Sequence, residues 1–282
     1  SQVPTNAMLG GLAYQDSVGE INIDKIKAKI SQSVNRIFVY DTRKDSDGGA
    51  WRKRTQHTSW YNELPSHQRG HRKEFPAIAV IVSYNNGYVI YDGDDPSLPM
   101  WMELWQYVND SSGSTTWWGG SGYGHAIAAM SGEMAVTAGT GARVVNFIKD
   151  KISVWYSPAA GGNYGINHGI ADRNTPVGSW YKADQDYRQL VANTPNEISV
   201  GVTPYAETHP HTGLPIPTYC ITTPTGTTVV ESTQAKTYDI VGTTAGYTEQ
   251  YRSVIKYGRL HLISDPRILY IFNLPLTQDT SG

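Results

Sequence analysis

Short apolar runs fenced by Gly, Asn, Asp or Pro recur along the chain from Val34 onward. Those at 36–40, 77–84, 88–92, 100–107, 126–130, 133–138, 143–148, 152–156, 198–204, 218–222, 227–231, 253–256, 259–264 and 268–273 are rich in Val, Ile and Tyr, and predict strands. Several are joined by tight turn signals, Asn85-Asn86-Gly87, Ser131-Gly132, Thr140-Gly141 and Tyr257-Gly258, which predict hairpins. Gly87 and Gly258 are placed to supply the positive φ such turns need. Helical spacing is confined to two places, 183–192 and EINIDKIKAKISQS at 20–33, where Ile21, Ile23, Ile26 and Ile30 form a rough stripe. The second also reads as a strand followed by a helix.

The pattern divides the chain into an N-terminal attachment arm at 1–33, a β domain at 34–275 and a C-terminal linker at 276–282. A polar, turn-rich arm cannot bury itself and is expected to need a partner or its own oligomer. Three stretches, beginning AIAAMSGEMAV, SVGVTPYAETH and YRSVIKYGRLH, share one order of strand, turn, strand, turn, strand. That order predicts a mostly β, propeller-like or multi-sheet β domain. A β-sandwich of the same strand count is the alternative.

Composition agrees with this. A chain of 282 residues can bury a real core, and Gly 28 with Pro 15 provides for many turns. Tyr 19 and Trp 8 outnumber Phe 4, a bias that suits positions half wet and half apolar. The single cysteine, Cys220, excludes an internal disulfide and reads as a small buried hydrophobe. No apolar run approaches membrane-spanning length and no basic-then-apolar leader begins the chain, so a soluble protein without membrane insertion or export signal is expected.

Charge singles out one segment. Between Arg43 and Lys73 stand eight Lys/Arg and three Asp/Glu, a balance of +5 in a chain of net charge −2. Within it, Trp51, Arg52, Lys53, Arg54 and Trp60 form the candidate partner interface, facing an acidic neighbour in the chain or in another subunit. A pI near 6.4 argues against nucleic acid as the main partner.

The remaining candidates are weaker. Asp41, Asp45 and Asp47, and Asp92, Asp94 and Asp95, offer calcium-type oxygens, but turn-forming Asp and Gly explain both runs without a metal. Glu207, His209 and His211 alternate as a transition-metal set would, with Pro210 and Gly213 arguing for a loop. Glu103, between Trp101 and Trp105, is a lone carboxylate, whereas glycoside hydrolysis needs two. Trp117, Trp118 and Tyr123, set among Gly and Ser, are possible glycan contacts, with packing between sheets or subunits as the plain alternative. No GxSxG, HExxH or phosphate-binding loop occurs, so no catalytic, cofactor or metal site is assigned and no enzyme is expected.

The segments PTNAMLGGLAYQDS, FVYDTRKDSDGGAWRKRTQHTSWYNE and EFPAIAVIV, with the later GLPIPTYCITTPTGTTVV and RILYIFNLP, resemble tail-fibre or tail-associated virion proteins of marine tailed bacteriophages. DTRKDSDGGAWRKR is the most specific part of that resemblance. It implies a virion structural protein: an arm that docks on the tail, then a propeller-like domain, with other tail proteins as partners and a homo-oligomeric state. It brings no catalytic residue with it. A carbohydrate-binding adhesin that recognises host surface glycans and a polysaccharide depolymerase are the competing functions.

Overall fold

The computed structural model describes residues 23–30, 33–85, 87–105, 126–138, 141–156, 164–166, 169–174, 182–183, 189–231, 236–241, 250–264, 268–274 and 280–281. Among them the strands form four sheets, each a meander in which sequence neighbours pair antiparallel. Sheet one is β1 (Val34–Asp41), β2 (Ile78–Tyr84), β3 (Gly87–Asp92) and β4 (Met100–Trp105). Sheet two is β5 (Ile127–Met130), β6 (Glu133–Ala138), β7 (Gly141–Asn146) and β8 (Lys151–Tyr156), extended by β9 (Tyr164–Ile166) and β10 (Lys182–Ala183). Sheet three is β11 (Glu197–Gly201), β12 (Thr218–Thr223), β13 (Gly226–Glu231) and β14 (Lys236–Val241). Sheet four is β15 (Gln250–Lys256), β16 (Arg259–Ser264) and β17 (Ile268–Asn273). A last strand, β18 (Thr280–Ser281), pairs parallel with β14, so part of the expected linker belongs to sheet three.

The first strand of each sheet touches the first strand of the next: β1 meets β5, β5 meets β11, and β11 meets β15. Later strands of each meander run outward from that seam. The result is a fan of blades, the propeller-like arrangement, and not the two facing sheets of a sandwich. Arg36 on β1 pairs with Glu197 on β11 at 2.9 Å, so the leading strands of sheets one and three also converge. Gly201 permits the tightest approach at the last seam, where an added Cβ would lie 2.4 Å from Ile255 Cγ2.

Three apolar cores fill the gaps between consecutive sheets, and a fourth lies on the outer side of sheet one. Middle strands feed two cores at once. On β2, Ala79 and Ile81 face sheet two, while Val80, Val82 and Tyr84 face the other way. On β12, Tyr219 and Ile221 face sheet two and Cys220 faces sheet four. Strands covered on both faces read as unbroken apolar runs, which is why the hydrophobic pattern found them.

The outer face of sheet one is closed by a short helix, α1 (Ile23–Lys29), which buries Ile26 completely among Val80, Val82, Val89 and Tyr91. This part of the arm therefore packs on its own chain, correcting the expectation that it needs a partner. Of the stretch 183–192, where a helix is expected, Ala183 ends β10, Gln189 makes an isolated bridge and Leu190 packs between sheets two and three, while 184–188 lie outside the described residues. No helix among the described residues is long and apolar enough to cross a membrane.

Candidate functional site

The basic segment leaves β1 through a 3-10 turn at Thr42–Lys44, reverses at Gly49, and continues through a second 3-10 turn at Ala50–Arg54 into helix α2 (Ser59–Asn62). Gly49 sits at φ +79°, and a Cβ there would lie 2.8 Å from Thr42 Oγ1, so the reversal requires glycine. Asp45 is the hub. Its carboxylate accepts from Tyr40 Oη at 2.5 Å, Trp51 Nε1 at 2.8 Å and the Ser131 amide at 3.0 Å. The Tyr40 hydroxyl in turn accepts from the Gly132 amide at 2.9 Å. The DTRKDSDGGAWRKR string is thus a staple that fastens sheet one to the β5–β6 turn. Burial raises the Asp45 carboxyl above its ordinary range, against the opposing pull of its three donors.

The expected exposure of the tryptophans does not occur. Trp51 and Trp60 are fully buried, packed with Phe75, Trp101 and Phe147 at centroid distances of 4.7 to 6.0 Å. Each buried indole N–H in this set has an acceptor: Asp45 for Trp51, Phe147 O for Trp60 and Glu74 O for Trp101. Trp51 and Trp60 form the core between sheets one and two, where the apolar area of an indole outweighs its polar edge once that edge is bonded. Arg52 is engaged by Phe75 O and by Glu74 at 3.0 Å, and Arg54 by Thr212 O at 2.9 Å and Asp47 at 3.2 Å. Lys53 lies on the surface. The acidic neighbour anticipated for this run is, for both arginines, the chain itself.

Four further buried or half-buried groups tie the first three sheets and their loops. Arg173, 1% exposed, makes a bidentate pair with Glu63 at 2.7 and 3.0 Å, and donates to Gln68 O and Glu103 O at 2.9 and 2.8 Å. Arg69, also 1% exposed, lies 4.5 Å above the Trp101 ring, and its guanidinium pKa falls to about 10 through burial. Asp150 accepts from the Ser59 amide and hydroxyl at 2.6 and 2.9 Å and from the Ile170 amide at 2.8 Å. Glu133 on β6 accepts from Tyr219 Oη on β12 and from Asn146 Nδ2, and burial pushes its carboxyl up to about 7.

Sequence reasoning passed over these partners. Arg69 and Arg173 stand in loops, where no periodicity reports burial. Glu133 did carry a signal. It shares strand parity with Ala135, which faces sheet three, so it points inward.

The other candidates resolve into architecture. Asp92 and Asp94 both bind Arg72 Nη1, at 2.7 and 2.6 Å, and Asp94 caps the Ala77 and Ile78 amides that open β2. Asp41 chelates the Arg43 guanidinium, which holds its carboxyl below the usual range. Asp47 accepts from the Gly49 amide. His209 is buried, its Nδ1 accepts from the His211 amide, and burial lowers its pKa, while Glu207 is exposed. Among the described residues no group of three His, Cys, Asp or Glu is placed to hold a metal ion. Glu103 accepts from Tyr84 Oη at 2.6 Å, and Cys220 is buried with its thiol raised to about 12. Trp117, Trp118 and Tyr123 lie outside the described residues.

What this arrangement does chemically is hold sheets together: carboxylates, guanidiniums and indoles meet one another across seams. No model of a known protein family matches the chain, and no curated protein does. A solved structure, the AfRom2 CNH domain, is similar at 14% identity and a TM-score of 0.33, over 73% of this chain and 53% of that one. The chain thus spans about half the length of that structure.

Proposed function

We propose that the chain is a non-enzymatic structural protein that acts by assembly, as a component of a bacteriophage tail that joins or extends the tail apparatus and supports contact with the host. The observation that supports assembly over catalysis is the fate of the conspicuous polar groups. Asp45, Glu63, Asp150 and Arg173, groups suited to acid–base work or oxyanion binding, are each bonded within the chain to a partner from the neighbouring sheet or its turns. A catalytic group must present a hydrogen-bonding edge to substrate, and these edges are taken. The placement in a phage tail rests on the resemblance carried by the staple string and the segments around it.

Rigid, internally cross-tied sheets suit a part that transmits force and repeats by symmetry. In such an assembly, weak contacts gain strength from multivalency. Incubation of the purified chain with host surface polysaccharide tests the non-enzymatic half. No release of reducing ends above the buffer control is expected, and sustained turnover would overturn it.

A further inference from the structure

The two ends of the fan are finished differently. Sheet one is closed by α1, with Ile26 at 0% exposure. Sheet four has nothing equivalent among the described residues. Its inner face carries Ile255, Leu260 and Leu262, buried against sheet three, while its outer face is open. The pairing register places three rows there: Arg252, Ile263 and Leu269; Val254, His261 and Ile271; Lys256, Arg259 and Asn273. Val254, Ile263, Leu269 and Ile271 are 54%, 43%, 54% and 52% exposed, four of the seven large apolar side chains exposed among the described residues. They adjoin one another, and a contiguous aliphatic patch on a polar-rimmed sheet marks an interaction surface.

Charge says what covers it. The nine positions hold three permanent cations, Arg252, Lys256 and Arg259, together with His261, and no carboxylate. A second copy laid face to face would set these cations against themselves. The α1 segment of a second copy, with Asp24 against Lys25, Lys27 and Lys29, is also cationic. Nucleic acid would want rings to stack on, and the patch is aliphatic, with Tyr257 off the face at the turn, 5.0 Å from Lys256 Nζ. The occupant that satisfies both the patch and its rim is a helix with an aliphatic stripe flanked by Asp and Glu.

We infer that the outer face of sheet four is a docking site for an acidic amphipathic helix of a partner protein, covering it as α1 covers sheet one. The inference deepens the assembly reading and rests on it for the partner's being a protein. Binding in solution tests the face, whereas presence in the particle tests the reading, so the two fail separately.

The probe is a labelled peptide of roughly 18 residues, long enough for helix formation, with Leu on one stripe and Glu beside it. Its control carries Lys in place of Glu. Fluorescence anisotropy is expected to show binding of the Glu peptide alone, weakening with salt. The double variant Arg252→Glu/Arg259→Glu should weaken that binding by about tenfold or more and admit the Lys peptide. Ile271→Ser should reduce it while the circular dichroism melt stays unchanged. Failure of the Glu peptide to bind, equal binding of both peptides, or preference for a single-stranded oligonucleotide would each overturn the inference. So would self-association in sedimentation that Ile271→Ser abolishes, since the occupant would then be a second copy.

Discussion

Replacing Asp45 with Ala removes the acceptor for three donors at once, two of them, Tyr40 and Trp51, on residues that are 5% and 0% exposed. A buried donor left without a partner costs about 1–3 kcal/mol. Three such losses set an upper range near 9 kcal/mol, and two effects reduce it. The Tyr40 hydroxyl still accepts from the Gly132 amide and is free to turn its proton elsewhere. Removing the carboxylate also relieves the desolvation that raises its pKa. The expected loss is therefore about 3–5 kcal/mol, a large share of the roughly 5–15 kcal/mol typical of a folded domain. Asp45→Asn keeps an acceptor but turns an amide N–H₂ toward other donors, and should lie between the wild type and Asp45→Ala. Urea denaturation followed by tryptophan fluorescence measures this directly, since Trp51 is one of the released donors. The midpoint should fall sharply with an unchanged slope. A loss below about 1 kcal/mol for Asp45→Ala would refute the staple as a stabilising element.

Other outcomes follow from the same ties. Arg173→Ala leaves the half-buried Glu63 facing the cation of Arg69 alone and should destabilise by about 2–4 kcal/mol, with Arg173→Lys unable to restore the bidentate geometry. Lys53→Ala, on the surface beside the staple, should change stability by less than about 0.5 kcal/mol, and the contrast with Asp45 separates architecture from mere position. Glu133 gives a pH signature. Its folded pKa is raised from 4.5 to about 7, so the stability favouring its neutral form is complete below pH 4.5 and is lost as pH rises through about 7. Relative to Glu133→Gln, the wild type should lose on the order of 2–3 kcal/mol across that window, allowing for partial solvent screening. A flat difference would show that the carboxyl is not desolvated. Gly49→Ala, strained by positive φ and by contact with Thr42, should destabilise by about 1–3 kcal/mol in thermal melts.

The sheets were legible in the sequence because most strands are covered on both faces. Every predicted strand overlaps an observed one, since a run such as IAVIVSY has few other readings. The strand Lys236–Val241 went unseen because KTYDIV mixes charge into a short run at the outer side of its blade. β9, β10 and β18 are two or three residues long, too short for any period to register. The basic segment was visible as a unit but misread in role. Charge density reports where cations stand in the chain and not which acceptors the fold brings to them: Asp47 turns back onto Arg54 within the segment, while Glu74 and the Thr212 carbonyl come from outside it. Trp51 and Trp60 were assigned to a partner interface because they stand in a cationic run, whereas a 3-10 turn and α2 rotate both rings inward. The open face of sheet four was hidden by the same parity that makes it clear in three dimensions. Ile263 and Ile271 look like core residues until the register shows that they stand back to back with the ones that are.

We propose that this chain is built into a virus particle's tail and works there by assembly. Immunogold labelling of intact, purified particles with an antibody to this chain tests it most directly. Gold confined to the tail, at symmetric positions, is the expected result. Particles that carry no label, with the chain recovered only from the soluble fraction of the lysate, would contradict it.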